Sequence, residues 1–328
     1  MPSSTVLVTG ASRFPGGQLV ARLAADSTID RILAVDTVPP RRDLLRRMGR
    51  AEFVRVDLRN PLIAKVISTA KVDTVVHAVL SDYPRDSGEH PVIGTMQLLA
   101  ACQKSMAVTR LVVTSTGAVY GASALAQAVF TERDEPKGVP ASGYVKDAVE
   151  LEGYVRAFAR RREDVDVTVL RFTDILGPRI DTVLSRYFSL PVVPTVLGYD
   201  GRMQLVHEQD ALAVLERATR ERLPGVFNVG GDGVLLVSQA IRRMGRIAIP
   251  LPRPVAATLG RLLCSAQLAD YSLEHIQFLS FGRVLDTTRL RTEFCFVPRW
   301  TTAQAFDDYA RGRALAQRCL PGFATGSR

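Results

Sequence analysis

"VLVTGASRFPGGQLVARL", Val6 to Leu23, joins a run of β-branched and leucine residues to an amphipathic helical stretch through a turn carrying Gly10, Gly16 and Gly17. A strand feeding a helix through such a turn aims the helix's first N–H groups, and the positive end of its dipole, at whatever sits above the strand. The turn reads as a pyrophosphate cradle. Glycines alone are equally served by a structural turn, but the next apolar run, "RILAVD", ends in Asp36, roughly 20 residues beyond the loop. A carboxylate there accepts both hydroxyls of an adenosine ribose and repels a 2′-phosphate, so the pair predicts a dinucleotide site that prefers NAD to NADP.

Working outward, short apolar runs alternate with helical stretches: "AEFVRVDL" (51–58), "VDTVVHAV" (72–79), "RLVVTST" (110–116) and "VDVTVLRF" (165–172). Continuous apolar runs fit strands buried on both faces, and strand–helix alternation predicts a parallel sheet covered on both sides. The expected fold is α/β, a doubly wound parallel sheet of Rossmann type with a smaller C-terminal substrate region. Residues 1–175 form the expected nucleotide-binding domain, with a further strand and helix from 201–232, where "GVFNVGG" (225–231) reads as one more buried strand. Proline-interrupted residues 176–200 and 233–315 form the expected substrate-binding region, and 316–328 a tail.

The four cysteines, Cys102, Cys264, Cys295 and Cys319, show no CxxC and no metal-ligand spacing, so no metal is expected and the thiols read as reduced. "MPSSTVLVTG" enters the first strand without a basic, then apolar, leader, which fits a cytoplasmic protein. "VAATLGRLLCSAQLADY" (255–271) is broken by Arg261 and falls short of the ~20 residues of a membrane span. No integral membrane segment is expected, and a packed helix is favoured there over a membrane-surface one. The net charge of +9 is scattered, without aromatic interleaving or a zinc or helix-turn-helix pattern, so nucleic acid is not an expected partner. Only five of the 42 basic residues are lysine, which makes the excess a matter of composition rather than of a site.

With these residues in place the chain resembles an extended short-chain dehydrogenase/reductase of the NAD-dependent epimerase/dehydratase type, and within it actinobacterial UDP-glucose 4-epimerase-like proteins. The motifs span nearly the whole chain. Thr9, Gly10 and Gly16 match the family's TGxxGxxG loop, and "STGAVYG" (115–121) its SSxxVYG segment. "LRFTDILGP" (170–178) is similar to LRxxNxxGP, and "DTTRLRTEFCFVPRW" (286–300) to the C-terminal DxxKxxxxLGFxP. The resemblance implies NAD as cofactor, Asp57 and Leu58 against the adenine, a small-molecule substrate and a homodimer. The dimer is expected through the helix after "STGAVYG" and the Lys146–Ala159 helix, whose Val145, Val149, Tyr154 and Phe158 suit a packed face. One departure lies in the loop, where Arg13 stands at the second glycine and either pairs with a phosphate or blocks it.

A second departure touches chemistry. The resemblance puts Thr116 at the hydroxyl that orients the substrate oxygen, with Ser115 beside it. It puts Lys146 on the nicotinamide ribose, with Glu150 four residues on. Four residues before Lys146, where the family has its tyrosine, stands Ser142, and the available phenol, Tyr144, is two residues out of register. Residues i and i+4 share a helix face, whereas i and i+2 point about 200° apart. If the helix has begun by residue 142, Tyr144 and Lys146 cannot both face a nicotinamide; Ser142 then caps the helix. A late start, with Gly143 turning the chain inward, restores Tyr144.

On the substrate side the resemblance points to Phe172 and Asp174, the latter in place of asparagine and repulsive toward a diphosphate, and to Gln204 and His207, with Asp210 as an alternative helix cap. Arg186 or Arg202 is the candidate for a substrate phosphate. His77 reads as support for a strand end. The leading expectation is an NAD(H)-binding epimerase/dehydratase-like protein for a nucleotide sugar or related small molecule, with an atypical proton-transfer site. A degenerate NAD-binding sensor or scaffold, and a lipid or sterol alcohol dehydrogenase, are the alternatives.

Overall fold

Seven of the apolar runs become one parallel sheet. In the computed structural model, which describes residues 4–78, 91–135, 143–256, 258 and 273–319, the strands are β1 (Thr5–Thr9), β2 (Arg31–Asp36), β3 (Glu52–Arg55), β4 (Thr74–His77), β5 (Arg110–Thr116), β6 (Asp166–Phe172) and, after a gap in sequence, β11 (Gly225–Val229). Their order is β11-β6-β5-β4-β1-β2-β3. The chain runs one way from β1 to β3 and then crosses back to β4, so a crevice opens at the carboxyl ends of β1 and β4, where ligands bind in such sheets. The doubly wound expectation holds.

The two-residue alternation of a strand sorts its side chains between two cores. Val6, Val8, Ile32, Ala34, Val76 and Val112 face one side, against Leu19, Val20 and Leu23 of α1 (Gly16–Ala24) and Val214, Leu215 and Ala218 of α7 (Glu208–Arg220). Leu7, Leu33, Val35, Val75, Leu111 and Val113 face the other, against α3 (Leu62–Thr69), α4 (Pro91–Lys104) and α5 (Tyr144–Arg161). Helix α2 (Arg42–Arg47) places Leu44 on the first of these cores.

Past β6 the chain builds a smaller lobe. It comprises β7 (Asp174–Leu176), α6 (Val183–Ser189), β8 (Val192–Val196), β9 (Arg202–Met203) and β10 (Leu205–His207), then β12 (Leu235–Leu236), α8 (Val237–Arg243) and β13 (Ile247–Leu251). Helix α9 (Leu273–Phe281), β14 (Gly282–Arg283), α10 (Thr288–Thr292) and α11 (Thr302–Cys319) follow. A third core of Tyr187, Phe188, Ile241, Phe278, Phe306 and Tyr309 holds the lobe together. Helix α11 continues to Cys319, so the first residues of the expected tail are helical, while 320–328 lie outside the described residues. No helix among the described residues is long and apolar enough to cross a membrane.

The helix expected after "STGAVYG" needs correction. Gly117–Tyr120 is a single 3-10 turn, and the helix packed beside α5 is α4, which precedes that motif; both feed the same core through Leu98, Leu99, Leu151 and Val155. Of the apolar residues proposed for a dimer face, Val145 and Phe158 are buried within the protomer and Val149 packs under the 3-10 turn, leaving Tyr154 exposed.

Candidate functional site

The loop between β1 and α1 is shaped by glycine where side chains do not fit. Gly10 leaves the strand at φ +69°. A Cβ on Gly16 would stand 2.5 Å from the Gly10 carbonyl oxygen, so glycine there lets α1 sit against the loop. Arg13, at the family's second glycine, donates its N–H to the Gly10 oxygen (3.2 Å) and accepts from Gly17 N (2.8 Å), so its backbone belongs to the turn. Helix α1 has no acidic residue in its first turn and no side-chain cap, which leaves the positive end of its dipole available to an anion.

Asp36, at the end of β2, reaches this loop. Its Oδ2 accepts from Ser12 N (2.9 Å) and its Oδ1 from Thr37 N (2.7 Å), which fixes the carboxylate. A carboxylate oxygen accepts more than one hydrogen bond, so both retain capacity for the two hydroxyls of a ribose. Asp57, beyond β3, is ion-paired with Arg59 at 2.6 Å, and those hydrogen bonds hold its carboxyl below the usual range. Leu58 lies against α4, where a Cβ on Gly94 would meet it at 3.1 Å.

His77 is buried between Thr9 Oγ1 and Thr95 Oγ1, each 2.8 Å from a ring nitrogen. Burial pulls its pKa down to about 4, and it ties β4 to β1 and α4. Thr116 ends β5 and accepts from Ala118 N through Oγ1 (3.1 Å), capping the 3-10 turn. Ser115 donates to the buried Glu152 (2.6 Å). Glu152 in turn holds Arg171 at 2.6 Å, and Arg171 donates to the hydroxyl of Tyr120 (2.7 Å), which donates to Asn228 Oδ1 (2.8 Å). Burial opposes the charge on Arg171, but Glu152 more than offsets it and holds the guanidinium above the ordinary arginine value. This chain of bonds links α5, β5, β6 and β11 beneath the crevice. The sequence signal for it was a charge, Arg171, inside the apolar strand "VLRF": a buried arginine requires a buried acid.

Helix α5 starts late. Its N-cap is Gly143 at φ +103°, a conformation open to glycine, and Tyr144 is its first residue. The cap expected at Ser142 is thus Gly143, and Ser142 itself lies outside the described residues. Asp147 in the first turn and Arg160 and Arg161 in the last complement the helix dipole. Tyr144 lines a cavity of about 350 Å³ with Tyr120, Gly121, Glu274, Gln277 and Arg283, and its ring lies 6.1 Å from that of His275. Lys146 lies 3.5 Å from Glu150, both side chains partly exposed, and neither Lys146 nor Thr116 is among the residues lining the cavity.

Phe172 is buried at the end of β6. Asp174, opening β7, lies 3.9 Å from Arg283, whose guanidinium rests over Phe278. The acid expected to repel a diphosphate is thus opposed by a cation that no motif pointed to, on an element too short to read from sequence. Gln204 is bonded at both ends, donating to Gly231 O (3.0 Å) and accepting from Leu285 N (2.7 Å). His207 caps α7, lies 3.1 Å from Asp308 and stacks on Trp300, while Asp210 accepts from Trp300 N. Arg186 pairs with Asp181, and Arg202 is exposed on β9.

A parallel sheet with this switch point, a glycine loop into an uncapped helix and a fixed carboxylate after β2 define a dinucleotide-binding protein of the Rossmann class. The model of the NAD dependent epimerase/dehydratase family matches residues 6–230, and the chain belongs to that family. An uncharacterised protein of Mycobacterium tuberculosis is 52% identical over 316 residues, covering 94% of this chain and 84% of its own. The UDP-glucose 4-epimerase of Mycolicibacterium smegmatis is 29% identical over 187 residues, 53% of this chain and 57% of that one. Among solved structures, dTDP-glucose 4,6-dehydratase of Streptomyces venezuelae with NAD bound superposes with a TM-score of 0.72 at 20% identity, covering 96% of this chain and 98% of that one. UDP-glucose-4-epimerase of Stenotrophomonas maltophila with NAD and a formylated UDP-arabinopyranose gives 0.71 at 19%, covering 96% and 100%. Likeness at these identities is a likeness of fold. The cofactor is NAD, as the family's name states, and the uncapped α1 and the Asp36 carboxylate fit its pyrophosphate and adenosine ribose.

Proposed function

We propose that this chain binds NAD(H) in preference to NADP(H) and acts, in the cytoplasm, on a nucleotide sugar or related small molecule. The substrate is held between the start of α5 and the region formed by 176–200 and 233–315. When bound, the nicotinamide supplies reversible hydride acceptance. The chain's own residues supply the rest: the α1 N-terminus and Arg13 face the pyrophosphate, Asp36 the adenosine ribose, Asp57 and Leu58 the adenine. Lys146 serves the nicotinamide ribose and Thr116 the reacting oxygen, while Tyr144, two residues out of register with Lys146, makes the proton-transfer site atypical. Phe172, Asp174, Gln204 and His207 shape the substrate side, the last two by holding its backbone.

The observation that carries this reading is the Asp36 carboxylate, fixed by Ser12 N and Thr37 N at the mouth of the glycine loop. Calorimetric titration tests it. NAD is expected to bind at least about a hundredfold tighter than NADP, and Asp36→Ala to weaken NAD by a similar factor, two charged hydrogen bonds being worth roughly 3 kcal/mol or more. Equal affinity for the two dinucleotides refutes the assignment.

A second reading is supported by the cavity that Tyr144 lines and Lys146 does not. With the phenol in a cavity that the lysine does not line, an NAD-responsive protein without turnover fits the same geometry. Incubation of purified protein with UDP-sugars separates the two readings by whether the sugar is converted.

A further inference from the structure

Strands β8 and β13 form a two-stranded parallel ribbon, Ile247 beside Val192 and Leu251 beside Val196. Buried apolar side chains line the inner edge of this lobe, yet β13 is exposed along most of its length. Ile247 is 68% and Leu197 56% exposed, and Val192, Tyr199, Ile249 and Val255 are exposed as well. These residues are contiguous. Leu197 N donates to Leu251 O (2.9 Å), which brings the turn after β8 to the end of β13, and the Arg253 guanidinium lies over the rings of Tyr199 and Phe281 at 5.9 and 5.4 Å. An apolar stripe so exposed marks an interaction surface.

The charges beside the stripe identify the partner. Arg242 and Arg253, both exposed, flank it, and among the described residues no carboxylate pairs with either, whereas neighbouring Arg243 is held by Asp307 at 2.7 Å. We propose that this ribbon lies on an anionic lipid surface. The isoleucines, Leu197 and Val255 enter the headgroup boundary, Tyr199 takes the interfacial position that suits an aromatic ring with a polar tip, and the two arginines meet lipid phosphates. A second copy of the chain fits less well. Pro250 removes one amide donor from the middle of the strand, and antiparallel pairing of two β13 strands would bring Arg246 of one close to Arg253 of the other. The inference is independent of the substrate assignment, because none of these residues touches the glycine loop or the Tyr144 cavity.

Sedimentation of the full-length protein with vesicles tests it, using phosphatidylglycerol–phosphatidylcholine mixtures against pure phosphatidylcholine. Three variants with unchanged melting curves are compared. Each arginine near an anionic surface is worth roughly fivefold in partition, so Arg242→Ala with Arg253→Ala is expected to weaken binding to the mixed vesicles roughly thirtyfold. Ile247→Ser with Ile249→Ser is expected to weaken it by about tenfold or more. Removing two arginines of α2 instead, Arg42→Ala with Arg46→Ala, changes net charge equally and is expected to leave partition within about twofold of wild type. Absence of wild-type binding to the mixed vesicles, or an α2 variant as impaired as the ribbon variant, overturns the proposal. So does a dimer in solution that the isoleucine substitutions dissociate, since a second copy then occupies the ribbon.

Discussion

Glu152→Ala removes the acid at the centre of the bonds beneath the crevice, and the structure fixes what is lost. Arg171 is 3% exposed, so without Glu152 its guanidinium stays in the interior with only the Tyr120 hydroxyl. Orphaning one member of a buried pair costs roughly 3–5 kcal/mol. Ser115 also loses the acceptor 2.6 Å away, worth about 1 kcal/mol. The expected loss of about 4–6 kcal/mol is a large part of the 5–15 kcal/mol of a typical domain. With a urea slope of about 3 kcal/mol/M it lowers the midpoint by more than roughly 1 M. Glu152→Gln, which keeps an acceptor but drops the charge, should lose about half as much. Glu152→Leu with Arg171→Met, which removes both charges and leaves Tyr120 its bond to Asn228, should be milder than Glu152→Ala alone. Urea unfolding followed by circular dichroism, with unchanged slopes, decides the matter. A cost below about 1 kcal/mol for Glu152→Ala, or a double variant as unstable as the sum of its parts, refutes the reasoning.

The sheet was legible because its signals are local and redundant. Val6, Leu7 and Val8 announce a strand buried on both faces, Gly10 and Gly16 a turn with no room for Cβ, and Asp36 a carboxylate at the next strand's end; each constrains the others. Of the two helices expected at a dimer face, Lys146–Ala159 lies within α5, but the pattern around Val145 and Phe158 reports burial without saying against what, and both are buried in their own protomer. The catalytic half was legible only to the register. Two residues of offset put Tyr144 and Lys146 on different faces of a helix, but the start of α5 depends on the backbone at Gly143, and the contents of the Tyr144 cavity on contacts more than a hundred residues away. Glu274, Gln277 and Arg283 come from the C-terminal lobe, where short, proline-broken elements carry no periodicity to read. Gln204 and His207 were found by motif, yet their polar atoms are spent on Gly231, Leu285 and Asp308, a distinction only tertiary structure draws.

A homodimer through the exposed side of α4 and α5, which carries Ile93, Met96 and Tyr154, should appear as twice the monomer mass in light scattering at micromolar concentration; a monomer there removes that proposal. His77 gives a pH dependence. Its folded pKa of about 4 lies below the unfolded value of about 6.5, so the unfolded chain takes the proton first and stability falls as pH drops from about 6.5 to 4. The loss attributable to His77 approaches roughly 3 kcal/mol, and His77→Gln should flatten that part of the profile; an unchanged slope would show that another group titrates. The last expectation concerns chemistry. Tyr144 and Lys146 are both helical and two residues apart, about 200° around α5, so the lysine is expected not to support the phenol, and Arg283, which lines the Tyr144 cavity, lies 3.9 Å from Asp174. General acid–base catalysis supplies about 10²–10⁴-fold, and its loss leaves NAD binding untouched. Turnover of UDP-glucose should therefore be slow or absent in the wild type, and Ser142→Tyr with Tyr144→Ser, which puts a phenol one helical turn before Lys146, should raise it at constant NAD affinity. Rapid wild-type turnover that collapses in Tyr144→Phe would show that the phenol reaches the reacting oxygen from where it stands, with a cation other than Lys146 beside it.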